Sequence, residues 1–133
     1  MPLTLVLALL AAAPADASAA GLWATPVGNG RVEIAECGAG LCGKLMDADR
    51  LRRDPNLKDG NNRDPALRNR PGKGLPLFEG WVGGPPRWKG RIYNPQDGRT
   101  YAGSAELVGP DRLKLQGCVF YPLCMTEVWT RVR

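Results

Sequence analysis

An all-β fold, an eight-stranded antiparallel up-and-down barrel with one long irregular loop, is what this 133-residue chain predicts. The first observation behind it is that 17 Gly and 12 Pro cut the chain into short runs suited to strands and too short for most helices. The second is turn chemistry. Asn29-Gly30 and Asp97-Gly98 tolerate the positive φ of tight hairpins, and Gly109-Pro110-Asp111 makes a further reversal, so consecutive runs are expected to pair antiparallel. The third is alternation. Tyr101, Gly103, Ala105 and Leu107 fall on one face of their run, and Leu113, Leu115, Gly117 and Val119 on one face of the next.

Taken in order, Met1 to Ala19 has the shape of a secretory signal peptide. An apolar stretch from Leu3 to Ala13 is followed by Pro14 and small residues, although no Lys or Arg precedes it. Ala17-Ser18-Ala19 supplies the small side chains that cleavage needs, leaving Ala20 as the new N-terminus; Ala15-Asp16-Ala17 also serves. The apolar stretch falls short of the ~20 residues that span a bilayer, and no other is apolar enough, so the expectation is a periplasmic or secreted domain over 20–133, not transmembrane.

Eight runs follow: Gly21 to Thr25, Arg31 to Cys37, Leu41 to Ala48, Leu75 to Val82, Arg87 to Tyr93, Arg99 to Val108, Arg112 to Val119 and Met125 to Val132. Closure of a sequential antiparallel sheet removes its exposed edges. A barrel of this size either fills with side chains or holds one small ligand. Gly103, Ala105 and Gly117, if inward, leave room. The segment from Asp49 to Gly74 has Pro-bounded stretches without periodicity and reads as a long loop, a frequent form for a functional lid.

That loop also holds the excess charge of a chain that is +5 overall: residues 50–74 carry eight Lys or Arg against three Asp. Outside the cytoplasm such a stretch points to anionic envelope components through screened attraction, or serves only as a solvated face; nucleic acid is not the expected partner. Four cysteines allow three pairings after export. The local one, Cys37 with Cys42 and Cys118 with Cys124, is favoured because Gly38, Ala39 and Gly40 make a flexible turn. Their spacings are wider than those typical of structural zinc sites.

Catalytic machinery is not visible. There is no histidine, which removes the commonest general base and metal ligand, and Ser104 has no base near it in sequence. Glu33, Glu36, Glu79, Glu106 and Glu127 are scattered, with nothing to single out an acid/base pair. Asp54 to Gly60 resembles a calcium loop, but Lys58 stands where an oxygen ligand belongs. The expectation is no enzyme, no metal and no cofactor. Aromatic residues are more informative, because pockets are apolar and aromatic. Trp81 and Trp88, which flank Gly83-Gly84-Pro85-Pro86, are candidates to line the barrel mouth and face a ligand, with Tyr93, Tyr101 and the basic loop's Arg70 completing the candidate site.

Several of these residues carry a resemblance when read together: Gly21-Leu22-Trp23, Cys37-Gly38 with Leu41-Cys42-Gly43, Gly90-Arg91-Ile92-Tyr93-Asn94-Pro95 with Asp97-Gly98 and Thr100-Tyr101, Leu113 with Gly117-Cys118, and Trp129-Thr130-Arg131. In that order they resemble the bacterial envelope family known as domain of unknown function 2147. The resemblance implies a lipocalin-like barrel, secreted or periplasmic, that binds a small apolar molecule without established enzymatic activity. Gly21, Trp23 and Arg131 look like the lipocalin closure signature, in which the Arg packs over the Trp, a contact of about 0.5 to 2 kcal/mol. The leading functional expectation is a carrier of a small apolar or amphipathic ligand whose anionic head group meets residues 50–74. The alternative is an interaction protein with a filled barrel that docks through that loop.

Overall fold

The computed structural model describes residues 18–120 and 122–133; the expected leader lies outside them except for Ser18 and Ala19. Eight strands occupy the positions that turn chemistry and alternation indicate: β1 Gly21–Ala24, β2 Arg31–Cys37, β3 Gly40–Asp47, β4 Leu75–Gly84, β5 Arg87–Asn94, β6 Arg99–Leu107, β7 Arg112–Phe120 and β8 Leu123–Arg131. Each pairs antiparallel with the next, and β1 pairs with β8 to close the barrel. The turn residues behave as expected, with Asn29 at φ 46 and Gly98 at φ 72. Both disulfides are the local ones. Cys37–Cys42 staples the β2–β3 hairpin with Cα atoms 5.8 Å apart, and Cys118–Cys124 staples β7 to β8 at 4.0 Å.

Alternation decides what fills the barrel. On β6, Gly103, Ala105 and Leu107 are buried while Arg99, Thr100 and Ala102 are exposed. Leu113 and Leu115 on β7 point the same way. The two ends of the barrel differ. One end gathers the termini, the β2–β3 turn, the β4–β5 turn at Pro85 and Pro86, and the β6–β7 turn. Here Trp23, Trp81, Trp88 and Trp129 join Phe78, Ile34 and Leu113 in one buried cluster. A buried indole removes roughly 200 Å² from water, a gain of about 4 to 5 kcal/mol before chain entropy is counted.

The predicted closure holds this end shut. Arg131 stacks its guanidinium 4.4 Å from the Trp23 ring centroid and donates to the carbonyls of Ala20 at 2.7 Å, Ser18 at 2.6 Å and Pro110 at 2.8 Å. The Trp23 indole N–H donates to the Ala19 carbonyl at 2.9 Å, and Ala19 is wholly buried. Gly21 has φ 145, and a side chain there would run into the Arg131 guanidinium and the Arg133 carbonyl.

The opposite end is spanned by residues 48–74. The predicted long irregular loop is an ordered strap that carries two short helical turns. Helix α1, Asp49–Arg53, has an acidic residue in its first turn and basic residues in its last, which complements the helix dipole. It stops at Asp54, which is extended, as suits a residue before proline. A further helical turn at Pro65–Leu67 starts with Pro, and the Asp64 side chain accepts from the Ala66 N–H. Between them the strap doubles back on itself: Asp59 N–H donates to the Arg70 carbonyl at 2.9 Å and Gly72 N–H to the Leu57 carbonyl at 2.7 Å. No helix among the described residues is long and apolar enough to cross a membrane.

Candidate functional site

Beneath the strap lies a cup of about 470 Å³. Its wall is apolar, built by Val32, Leu45, Leu75, Leu77, Ile92 and Leu115 from five different strands, and Leu51 and Leu57 of the strap hang over it. The volume lies within the range of small-molecule sites and equals the space of about 15 waters. Small residues leave the room. Gly117 faces the cup, and a Cβ placed there would meet only Ile92 at 3.7 Å and Tyr101 at 3.9 Å. The space above Gly90 and Gly103 is already taken, because the Trp81 ring lies against both.

The strap is pinned by a polar cluster that sequence reading passed over. Asp59 is 3% exposed. Its Oδ1 accepts the Tyr93 hydroxyl at 2.5 Å, and its Oδ2 accepts from Asn62 Nδ2 at 2.8 Å and from the Arg70 guanidinium at 3.0 Å. A carboxylate so placed is compensated by three donors, one of them a cation. Burial, followed by the hydrogen bond to Asp59, pushes the Tyr93 hydroxyl up to about 12. Farther along the rim Asn61 Nδ2 donates to the Pro95 and Gln96 carbonyls. Tyr101 bonds Asp97 across the β5–β6 turn, and that bond raises the Tyr101 hydroxyl above its ordinary range.

The predicted ligand residues therefore divide. Tyr93 and Tyr101 line the cup. Trp81 does not reach the mouth. It is 1% exposed, stacks on Phe78 with centroids 4.3 Å apart, and donates its indole N–H to the Arg91 carbonyl at 2.8 Å. Trp88 is likewise buried in the cluster at the closed end. Both flank the β4–β5 turn, and in this barrel that turn belongs to the closed end, so the two indoles make its floor. Arg70 is also corrected: its guanidinium is engaged by Asp59 and lies 5.8 Å from the Tyr93 ring, outside the cup lining.

Two features of the cup were not singled out from sequence. Glu127 lines it, sharing the inward face of β8 with Trp129, whose indole N–H donates to Glu127 Oε2 at 2.9 Å. The parity of residues 127 and 129 was the signal available. The rim of the mouth is apolar and exposed at Val27, Val119, Leu123 and Met125, the last 80% exposed, with exposed Phe120 at the end of β7. The basic side chains of Arg50 and Lys58 line the same opening. Among the described residues no group of His, Cys, Asp or Glu is placed to hold a metal ion.

A closed eight-stranded antiparallel barrel with an apolar cup at one end and an Arg-over-Trp closure at the other is a lipocalin-like fold. A solved structure described as protein HP1028 from the human pathogen Helicobacter pylori, belonging to the lipocalin family, superposes with a TM-score of 0.77 at 22% identity, covering 87% of this chain and 84% of that one. The family described as an uncharacterized protein conserved in bacteria, DUF2147, matches residues 21–131, and the chain belongs to it. No curated protein matches the sequence.

Proposed function

We propose that this protein is a non-enzymatic carrier, working in the periplasm or outside the cell, that takes one small apolar or amphipathic molecule into the cup beneath the strap. The observation that carries this reading is the half-filled barrel. Trp81 and Trp88 plug the closed end, while some 470 Å³ of apolar space stays open at the other. The leader pattern and the two disulfides support the location. Arg50 and Lys58 at the rim suit an anionic head group left at the surface.

The test is native mass spectrometry on protein purified from its own cell envelope, with extraction of whatever is bound, alongside a Gly117→Phe variant that fills the cup from a strand position open to a side chain. A stoichiometric apolar passenger present in the wild type and absent from Gly117→Phe supports the reading. A passenger retained by a folded Gly117→Phe removes it.

A second reading, docking on an anionic lipid surface, is favoured by the exposed Val119, Phe120, Leu123 and Met125 beside a basic strap. Co-sedimentation with anionic but not zwitterionic vesicles, lost in Phe120→Asp, is its expected signature.

A further inference from the structure

We propose that Glu127 is the polar recognition group of the cup and that it selects an apolar molecule carrying a protonated amine. The inference rests on the carrier reading and names the ligand chemistry of that site. Residues 125, 127 and 129 alternate onto the inward face of β8, opposite Gly117, Leu115 and Leu113 of β7. Leu115 and Leu113 are 4% and 1% exposed, so this is the apolar side of the strand pair. A carboxylate therefore stands where packing alone would favour a leucine.

One of its oxygens is held in place. Oε2 accepts from the Trp129 indole, itself 3% exposed, at 2.9 Å, which fixes the carboxylate against the wall. Oε1 has no donor among the described residues, and no Lys or Arg among them lies within ion-pairing distance of Glu127. The other acids at the cup are committed. Asp59 is bound by Tyr93, Asn62 and Arg70, and Asp97 is bound by Tyr101. Glu127 is thus the cup carboxylate with acceptor capacity to spare.

A carboxylate on an apolar wall favours a cation that can also donate, and an ammonium meets both needs through a short charge-assisted hydrogen bond. Arg50 and Lys58 are exposed on the rim, where solvent and salt screen them. An amine-bearing end accordingly goes in first, and any anionic group of the same molecule stays outside.

The experiment displaces N-phenyl-1-naphthylamine from the full mature protein with three probes of one chain length: decylamine, decanol and decanoate. Wild-type protein is expected to bind decylamine about 10- to 100-fold more tightly than decanol, because the ammonium adds charge–charge attraction to a hydrogen bond that the neutral hydroxyl can also make, with decanoate weakest. Glu127→Gln, which keeps an acceptor for the Trp129 indole, is expected to bring amine and alcohol within about 3-fold, chiefly by weakening the amine. Equal binding of amine and alcohol by the wild type overturns the proposal, and so does a preference that survives in Glu127→Gln; in both cases the carrier reading stands. If the naphthylamine probe itself does not bind the wild type, or binds Gly117→Phe equally, the carrier reading fails and takes this inference with it. The wild-type series decides the matter even if Glu127→Gln does not fold.

Discussion

Replacing Asp59 by Ala removes the acceptor that ties the strap to the barrel, and the cost can be worked from its partners. Asn62 is 6% exposed, so its amide loses a bond that water cannot replace, a penalty of about 1 to 3 kcal/mol. The Arg70 side chain is 32% exposed and can turn its charge to solvent, so the full cost of an orphaned buried ion, about 3 to 5 kcal/mol, does not apply. With the Tyr93 hydroxyl also released, the expected loss is about 2 to 4 kcal/mol, a large share of a domain's usual 5 to 15.

The barrel strands do not depend on Asp59, so the loss is expected first as local opening of the strap. Amide hydrogen exchange at Asp59 and Gly72, whose N–H groups bond within the strap, is expected to quicken by roughly 30- to 1,000-fold. Strand amides in the Trp cluster are expected to change less. Lys58→Ala, at an exposed neighbouring position, is the control and is expected to stay within about 0.5 kcal/mol of wild type. Chemical denaturation measures the global term. If Asp59→Ala matches Lys58→Ala by both methods, the carboxylate does not hold the strap and the argument from its burial is wrong.

Other expectations concern the turn, the titrating tyrosine and the N-terminus. Gly98→Ala is expected to destabilise by more than about 1 kcal/mol in a denaturant titration, because φ is 72 and an added Cβ overlaps the Asn61 carbonyl of the strap. A neutral effect would mean that strap and hairpin are not in contact. Because the Tyr93 hydroxyl stands at about 12, above its unfolded value of about 10, its contribution is complete below pH 10 and declines as pH rises from 10 toward 12. Stability measured across that window in wild type and Tyr93→Phe is expected to fall more steeply in the wild type; parallel curves would refute it. Finally, Ala19 is buried and its carbonyl accepts the Trp23 indole N–H. A cut after Ala19 would leave that donor unpaired and set a new ammonium beside Arg131, so, under the proposed export, N-terminal sequencing of the processed protein is expected to begin at Ser18 in place of Ala20. A start at Ala20 would show that the closed end holds without it.

The eight strands, their antiparallel order and the two local disulfides could be read from the sequence because each rests on neighbours along the chain. Alternation over a few residues, a positive φ at Asn29 or Gly98, and two cysteines bracketing a turn all carry local information. Even the inward place of Glu127 was available, since it shares parity with Trp129. What sequence alone left undecided was which end of the barrel each turn occupies. Trp81 and Trp88 flank a turn that belongs to the floor, so residues expected at a ligand's entrance became the plug beneath it. The strap is the clearest case. Asp59, Asn62, Arg70 and Tyr93 lie as far as 34 positions apart and show no periodicity, yet they form one buried cluster. A charge run reads as solvent-facing until the fold buries one of its own acids, as it does Asp59 between Arg70 and a tyrosine from β5. Only closure of the barrel brings β5 beneath the strap, and that contact turns a basic loop into a lid over an apolar cup.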